Sequence, residues 1–300
     1  MADETRCGFV ALLGAPNAGK STLMNHILGS KLSIVSPKPQ TTRSRVLGVA
    51  MHEQTQLVFL DLPGVFMAKR KLERVMVETA WEGARSADLI VVMIDASLEK
   101  LSNETRSIFK WLENEKKQAV LVLNKVDTIA KNKLLDITKE LHDTGLFTDV
   151  LMISAKTGDG VQDLLKLIAP RMPEGEWQYP EDQLTDMPER LWAAEITREQ
   201  VFLQLRDELP YAAAVETESW EERADGSVAI GQIIYVQKET QRAIVLGKGG
   251  TRIKEIGQKS RLEMGAELER KVHLTLHIKV KENWTEDINF LKAQGLLGSE

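Results

Sequence analysis

Eight consecutive residues of this 300-residue chain have the order of a phosphate-binding loop. The residues, which match the pattern GxxxxGK(S/T), are Gly14, Ala15, Pro16, Asn17, Ala18, Gly19, Lys20 and Ser21. They lie between an apolar strand-like segment, 9–13, and a helical segment, 21–28. Glycines at both ends let successive backbone N–H groups turn toward phosphate oxygens at the positive end of the helix. We predict that Lys20 contacts the terminal phosphates as a catalytic residue and that Ser21 binds Mg²⁺.

Three further polar motifs follow apolar segments farther along the chain. They are Asp61, Leu62, Pro63 and Gly64 with the adjacent Val65, then Asn124, Lys125, Val126 and Asp127, and finally Ser154, Ala155 and Lys156. Asp61 is predicted to bind the water shell of Mg²⁺, and the N–H of Gly64 to sense the γ-phosphate during catalysis. Asp127 can accept two hydrogen bonds from guanine, and a site built on such bonds rejects analogues without the donors by a factor on the order of 10⁴. Together, the four motifs predict a site for GTP and GDP.

A polar loop between the first two predicted strands contains the adjacent residues Thr41 and Thr42. A threonine that binds both Mg²⁺ and the γ-phosphate would make this loop a switch, and we predict that role for Thr42, with Thr41 as the alternative. A second mobile segment is predicted at 64–71. Val65 stands where Ras-like enzymes carry the glutamine that orients the attacking water, so slow intrinsic hydrolysis is expected.

The length of 300 residues indicates about two domains. The composition, 43% hydrophobic and 28% charged, is that of an ordinary globular protein. Its single cysteine, Cys7, excludes an intramolecular disulfide and is typical of a reducing compartment. No apolar run approaches the ~20 residues that span a bilayer, and residues 1–6 lack the apolar stretch of a signal peptide. We therefore expect a soluble, cytoplasmic protein, for which peripheral membrane contact stays open.

Within the first 170 or so residues, apolar strand-like segments alternate with amphipathic helical ones. The strands are predicted at 9–13, 57–61, 89–94, 119–123 and 150–153, with an antiparallel edge strand at 46–52. Such alternation predicts an α/β fold of the P-loop NTPase class, a mostly parallel sheet with helices on both faces. Ligands of these sheets bind at the carboxyl ends of the strands, where all four motifs fall.

A change of composition marks the second half of the chain. Residues 173–189 begin with a stretch rich in proline, glycine and acidic side chains and are predicted to be a linker between domains at 1–172 and 190–300. The elements predicted beyond it are a helix at 190–205, strands near 212–222 and 227–237 with a turn at Asp225-Gly226, helices at 241–246 and 251–268, and a strand at 272–280.

The last two of these helices are joined by a glycine-rich loop. The α-β-β-α-α-β order, with a GxxG loop between two helices, resembles a type II KH domain, an α+β fold that binds single-stranded nucleic acid. Residues 242–281 carry ten basic and four acidic side chains in a chain of net charge −5, and such a basic region is typical of a nucleic-acid site. The predicted RNA-binding residues are Gly247, Lys248, Gly249, Gly250, Arg252 and Lys254.

The motifs of the whole chain resemble those of the bacterial Era GTPases. The segments that carry the resemblance are 14–21, 40–43, 61–64, 124–127, 179–182 with 185–186, 208–211 and the GxxG loop. The resemblance implies an Era-type GTPase domain at 1–172 and a KH domain at 190–300 that binds the 3′ end of 16S rRNA, with a role in assembly of the 30S ribosomal subunit. It also implies a cytoplasmic location with some peripheral association at the inner membrane. Asn17 is similar to the asparagine by which related GTPases bind K⁺, so K⁺ is a second candidate cofactor beside Mg²⁺.

Two other functions and the oligomeric state stay open at this point. A tRNA-modification GTPase would need a further cofactor-binding domain and a terminal catalytic cysteine, whereas this chain has only Cys7. An RNA-binding module with GTP as a structural, unhydrolysed ligand is compatible with Val65, and single-turnover hydrolysis would exclude it. A monomer is the default expectation.

Overall fold

The computed structural model describes residues 5–98, 100–130, 134, 138, 141 and 144–296. Two compact units make up the chain, the first formed by 1–33 with 42–186 and the second by 34–41 with 187–300. Most of the predicted linker, 173–186, is grouped with the first unit. Residues 1–4, part of the segment that is predicted to lack a signal peptide, lie outside the described residues.

The described residues of the first unit form a six-stranded sheet in the order β2-β3-β1-β4-β5-β6. The strands are β1 (Arg6–Gly14), β2 (Val46–His52), β3 (Thr55–Asp61), β4 (Leu89–Asp95), β5 (Ala119–Asn124) and β6 (Phe147–Met152). β2 pairs antiparallel with β3, and the remaining pairs are parallel. The predicted sheet with one antiparallel edge strand is therefore confirmed, and the carboxyl ends of the five parallel strands meet at one edge.

The helices described in this unit lie between or after these strands. They are α1 (Lys20–Leu28), α2 (Lys71–Ser86), α3 (Asn103–Glu115) and α4 (Val161–Ile168), with 3₁₀ turns at Val126–Thr128 and Ala169–Arg171. In α3 the hydroxyl of Ser102 caps the helix by accepting a hydrogen bond from the N–H of Thr105, and Ile108 and Leu112 recur on its buried side. The predicted mobile segment 64–71 ends where α2 begins.

The core of the first unit explains why its loops have a rigid support. Every residue of β3 and β5 is buried, and the apolar side chains of neighbouring strands, such as Leu60, Val92 and Leu121, belong to one cluster. Trp81 of α2 stacks on Trp111 of α3 with ring centroids 5.0 Å apart. Loops at the end of such a sheet can hold functional groups at fixed positions.

The last part of the first unit, after α4, is tied to the strands by hydrogen bonds. Gln56 is fully buried, and its Oε1 accepts hydrogen bonds from the backbone N–H groups of Gln178 and Tyr179 at 2.9 and 3.0 Å. Its Nε2 donates to the carbonyl of Tyr179 at 2.8 Å. Leu184 and Thr185 likewise form hydrogen bonds with the backbone of β2. This segment has no helical or strand periodicity in sequence, yet a buried side chain fixes its path.

The second unit contains a three-stranded sheet in the order β7-β8-β9 among the residues described. Its elements are α5 (Glu189–Gln204), β7 (Ala214–Glu222), β8 (Val228–Val236), α6 (Glu239–Leu246), α7 (Thr251–Glu267), β9 (Val272–Val280) and α8 (Ile288–Ala293), with 3₁₀ turns at Lys248–Gly250 and Trp284–Glu286. β7 pairs antiparallel and β9 parallel with β8. The order through β9 is α-β-β-α-α-β, which confirms the KH-type prediction.

The segment 34–41 belongs to the second unit through hydrogen bonds with α5 and the residues after it. The carboxylate of Glu199 accepts from the N–H of Val35 at 2.9 Å, and the guanidinium of Arg198 donates to the carbonyl of Thr41 at 2.7 Å. Lys38 donates to the backbone carbonyls of Phe202 and Leu205.

The residues after β9 add a packed element that the sequence patterns do not predict. Trp284 is fully buried, and its indole N–H donates to the carbonyl of Ala212 at 2.9 Å. Phe290 of α8 makes an edge-on contact with Tyr235, with ring centroids 5.0 Å apart. As for a bilayer, every helix in the described part of the chain is too short or too polar to cross one.

Candidate functional site

The phosphate-binding loop lies between the end of β1 and the start of α1. Gly19 precedes α1 with a left-handed φ of 101°, and a Cβ at this position would lie 2.1 Å from Asn124 Nδ2, so only glycine fits. Lys20 is buried, and its Nζ donates to the carbonyls of Gly14 and Ala15 at 3.1 Å each. Burial lowers the pKa of Lys20 to about 8, against the opposing attraction of Asp61.

The three side chains predicted to bind Mg²⁺ converge at one point beside this loop. The hydroxyl of Ser21 donates to Asp61 Oδ2 at 2.7 Å, and the Thr42 hydroxyl lies 3.0 Å from that of Ser21 and 3.3 Å from the same carboxylate oxygen. Burial raises the pKa of Asp61, while Lys20 and the hydroxyl groups of Ser21, Ser33 and Thr42 oppose the rise. The other oxygen, Asp61 Oδ1, is buried and forms no hydrogen bond of ordinary geometry with the described residues.

These features fit a divalent cation. Carboxylate and hydroxyl oxygens are the hard donors that Mg²⁺ prefers, and the metal keeps several waters when bound. A buried carboxylate oxygen without a partner is costly, and a metal-bound water would supply the missing donor.

The two candidate threonines have different environments. Thr42 is 7% exposed, and its side chain contacts both Ser21 and Asp61. The carbonyl of Thr41 accepts a hydrogen bond from Arg198. The geometry therefore favours Thr42 over Thr41 as the switch threonine.

The residues after Asp61 pack on the phosphate-binding loop. Leu62 and Pro63 are buried, and a Cβ at Gly64 would lie 2.8 Å from the backbone nitrogen of Pro16. Val65 is also buried, and its N–H donates to the carbonyl of Gly14 at 3.1 Å. The chain therefore passes close to the loop here because residue 64 has no side chain.

Asn124 joins two of the predicted loops to each other. Its Nδ2 donates to the carbonyl of Ala18 at 2.8 Å, and its Oδ1 accepts from the N–H of Ala155 at 2.9 Å. Ser154 and Ala155 are buried, whereas Lys156 is exposed. Asn124 therefore fixes the phosphate-binding loop and the third motif in place.

The remaining predicted nucleotide residues lie nearer the surface. Lys125 has a left-handed φ of 66°, and its ammonium group donates to Asp95 Oδ2 at 2.6 Å. Val126 is half-buried, and Asp127 is exposed at the start of the following turn. Asn17, the predicted K⁺ contact, is exposed and has a left-handed φ of 63°.

The GxxG loop of the second unit is built from backbone turns that favour glycine. Gly247, Gly249 and Gly250 have φ values of 73°, 61° and 77°, and Gly250 precedes α7 in the left-handed conformation. Lys248 is exposed. Open backbone at a helix N-terminus can contact a phosphate backbone directly.

Two basic side chains predicted to bind RNA follow this loop in α7. Lys254 is exposed. Arg252 is half-buried and donates from Nη1 to the carbonyl of Ile244 at 2.9 Å, so one of its donors holds the end of α6. A guanidinium has five donors, which leaves others for a phosphate.

Comparisons with known proteins agree with this arrangement. Residues 9–125 match the family model described as 50S ribosome-binding GTPase, and residues 208–285 match the KH domain model. GTPase Era of Sinorhizobium medicae is 51% identical over 292 residues, which cover 97% of this chain and 94% of that protein. The chain belongs to the GTPase Era family. GTPase Era of Caulobacter vibrioides is also similar, with 50% identity in an alignment of 306 positions, gaps included, that covers 98% of this chain and 97% of that protein.

Solved Era structures match the fold across both units. Era of Aquifex aeolicus, solved as a point variant bound to GDP and AlF4⁻, has 37% identity and a TM-score of 0.93, with 98% of this chain and 100% of that chain covered. Era in complex with MgGDPNP and nucleotides 1506–1542 of 16S ribosomal RNA matches with the same identity, TM-score and coverage. As an Era family member with a matching GTPase domain, the chain is a GTPase that carries a KH domain.

One residue at the site, and one role of a predicted RNA-binding residue, are absent from the sequence predictions. Asp95 lies at the carboxyl end of β4 and holds Lys125. Its place after an apolar strand could have marked it as a candidate, but its contact with Lys125 could not be read from the sequence. The role of Arg252 in holding α6 had no sequence signal, because a basic residue after a GxxG loop is equally expected to contact RNA.

Proposed function

We propose that this Era-family GTPase is a nucleotide-dependent switch that binds the 3′ end of 16S rRNA and assists assembly of the 30S ribosomal subunit. The observation that carries the proposal is the likeness over 98% of the chain to an Era structure that holds both MgGDPNP and 16S rRNA nucleotides. The GTPase family model is described by the 50S subunit, but it ends at residue 125 and does not include the KH unit. The KH unit, with its GxxG loop and basic side chains, is the part of the chain that supports binding to RNA.

The nucleotide site of this proposal consists of the four motifs. The phosphate-binding loop, 14–21, would hold the phosphates, and 61–65 would contact the γ-phosphate through the N–H of Gly64. The motif 124–127 would bind guanine through Asp127, and 154–156 would meet the guanine carbonyl. The hydrogen bonds of Asn124 to Ala18 and Ala155 support this division, because they join the phosphate end of the site to the base end.

Ser21, Thr42 and Asp61 would hold Mg²⁺, with Asp61 acting through a water molecule. Held by these residues, the cation would supply positive charge that offsets the negative charge developing on the phosphates during hydrolysis. The Era complex with MgGDPNP supports this cofactor. Asn17 would contact K⁺ at the same loop, and equal GTPase rates in matched K⁺ and Na⁺ buffers would remove that part of the proposal.

Hydrolysis is proposed to be slow without a partner. Lys20 and the N–H of Gly64 would stabilise the charge on the transferred group, and Thr42 would close the site. The buried, apolar Val65 cannot orient a water molecule. Single-turnover release of phosphate from bound GTP tests this step, and its absence would favour an RNA-binding module in which GTP is structural.

The decisive experiment measures binding of a labelled RNA with the 16S 3′-end sequence to protein loaded with a GTP analogue or with GDP. A permuted sequence of the same composition is the control for charge alone. The switch proposal expects tighter binding of the 16S sequence in one nucleotide state, and RNA must then change nucleotide affinity by the same factor. Equal binding of both RNAs in both states would contradict the proposal.

The proposed location follows from the proposed partner, because a protein that acts on ribosomal RNA works in the cytoplasm. A monomer is proposed as the default state. Peripheral contact with the inner membrane stays a prediction from the family resemblance.

A further inference from the structure

Asp95 is the last residue of β4, at the edge of the sheet where the motifs lie. The β4–β5 register pairs Asp95 with Asn124, so Lys125 is the next residue along the neighbouring strand's path. The carboxylate is 14% exposed and the Lys125 side chain 34% exposed. Asp95 therefore lies beside the base-binding motif without belonging to it.

Both oxygens of Asp95 have defined partners. Oδ2 accepts from the ammonium group of Lys125 at 2.6 Å. Oδ1 accepts from the backbone N–H of Ser97 at 3.0 Å and from its hydroxyl at 2.6 Å. Ser97 thus fixes the carboxylate, and the carboxylate in turn holds the ammonium group.

The contact between Asp95 and Lys125 joins two opposite charges. Burial raises the pKa of Asp95, but the hydrogen bonds from Lys125 and Ser97 outweigh that effect and keep the pKa below its ordinary value. The carboxylate is consequently ionised at neutral pH and forms a charge-assisted hydrogen bond with Lys125. A lysine side chain otherwise samples many rotamers, and fixing it before a ligand arrives reduces the entropy lost on binding.

We propose that Asp95 is a positioning residue for guanine nucleotides, which acts by holding Lys125 in its binding conformation. This inference rests on the proposed role of 124–127 in base recognition. Asp95 touches no nucleotide atom in this scheme, and its effect passes entirely through Lys125. Loss of the carboxylate should therefore weaken nucleotide binding only as long as Lys125 is present.

A double-mutant cycle tests this dependence. Asp95→Asn keeps the shape of the side chain and can still accept hydrogen bonds from Ser97, but it loses the charge that holds Lys125. We expect the Kd for fluorescent GDP to rise about three- to tenfold, the range for releasing one rotamer-rich side chain. In a Lys125→Met background the same substitution should cause no further change. Asp95→Glu, which restores a carboxylate, should recover most of the affinity.

Controls separate this role from folding. Ser97→Ala removes one of the two hydrogen bonds to Oδ1 but keeps the backbone N–H of residue 97 and the ion pair, so its Kd should rise less than that of Asp95→Asn. Thermal unfolding of each nucleotide-free variant identifies any loss due to instability, and Asp95→Glu remains a test if Asp95→Asn does not fold. Equal losses in the presence and absence of Lys125 would overturn the inference. An unchanged Kd in Lys125→Met alone would instead show that Lys125 does not contribute to nucleotide binding, and would leave the proposed role of Asp127 in guanine recognition standing.

Discussion

Two glycine-rich loops in this protein start a helix in the same way and in different surroundings. Gly19 precedes α1 and Gly250 precedes α7, both in the left-handed conformation and both without a side-chain cap. Around Gly19 the structure is closed, since a Cβ there would lie 2.1 Å from Asn124. Around Gly250 the structure is open, because a Cβ added to this glycine would have no atom within 4 Å.

The difference teaches how each loop can select a ligand. The buried side chains around the first loop, namely Lys20, Asp61 and Asn124, are held in place by hydrogen bonds within the protein. A ligand must therefore match a fixed set of buried polar groups, and one that leaves them unpaired is rejected strongly. The second loop offers exposed backbone and exposed lysines, which attract any phosphate chain through charge. The first loop is suited to exact chemical selection and the second to salt-sensitive contact with a polymer backbone.

A matched pair of alanine substitutions gives the largest expected effect. Gly19→Ala combines left-handed strain with a clash against Asn124 and should weaken GDP binding on the order of 100-fold. Gly250→Ala meets only the strain, about 1–2 kcal/mol of stability, and should leave GDP affinity unchanged. Nucleotide titration and thermal unfolding of both variants measure the two effects. Similar losses of GDP affinity in the two variants would show that the close contact between Gly19 and Asn124 does not contribute to nucleotide binding.

The proposed Mg²⁺ site can be tested with substitutions of Thr41 and Thr42. Thr42→Ala removes the hydroxyl beside Ser21 and Asp61 and should lower Mg²⁺-dependent single-turnover hydrolysis about 100-fold, the size expected for loss of one transition-state contact. Thr41→Ala keeps the carbonyl that accepts from Arg198 and should have a much smaller effect. Rates measured over a range of Mg²⁺ concentrations decide between them, and the reverse order would assign the switch to Thr41.

Salt dependence tests the open character of the second loop. Lys248→Gln and Lys254→Gln should each weaken RNA binding and reduce the slope of log K against log salt by about 0.7 per lost phosphate contact. Arg261→Gln, farther along α7, serves as a control for general charge. GDP affinity should not change in any of the three variants. A slope that stays constant would argue against phosphate contacts at this loop.

The smallest expected effect concerns the stability of the second unit at alkaline pH. Burial, with Glu216 and Glu218 nearby, raises the pKa of Tyr235 to about 12. The folded form favours the neutral phenol, so its contribution is complete below the unfolded pKa of about 10 and is lost as pH rises toward about 12. Ultraviolet titration of tyrosinate should show a late-ionising group that Tyr235→Phe removes. If the tyrosine titration of the wild type shows no group that ionises well above about pH 10, the Tyr235 phenol makes no such contribution to the stability of the folded form.

Much of the fold, and the clustering of the four motifs at one edge of the sheet, could be predicted, because both depend on local patterns. Apolar segments followed by polar motifs define the parallel strands and place the motifs at one edge. The alternation in 272–280 likewise predicts β9, and the bounds Val272–Val280 agree.

The features that could not be predicted depend on contacts between distant residues. Gln56 lies in an apolar strand and resembles an ordinary surface-facing polar residue, yet it is buried and binds a backbone segment more than 120 positions away. Nothing in the sequence around Trp284 predicts its hydrogen bond to the carbonyl of Ala212. Asp95 and Lys125 are 30 residues apart, and only the β4–β5 register brings them together.

The hydrogen bonds of Gln56 also determine how the first unit could be isolated. A fragment ending at residue 172 would remove the backbone partners of the buried Gln56 amide at residues 178 and 179. It would also expose the edge of β2 that Leu184 and Thr185 occupy. An unpaired edge strand is a template for association between copies. A fragment ending at residue 186 keeps that edge covered, so it should remain dispersed at concentrations at which the shorter one aggregates.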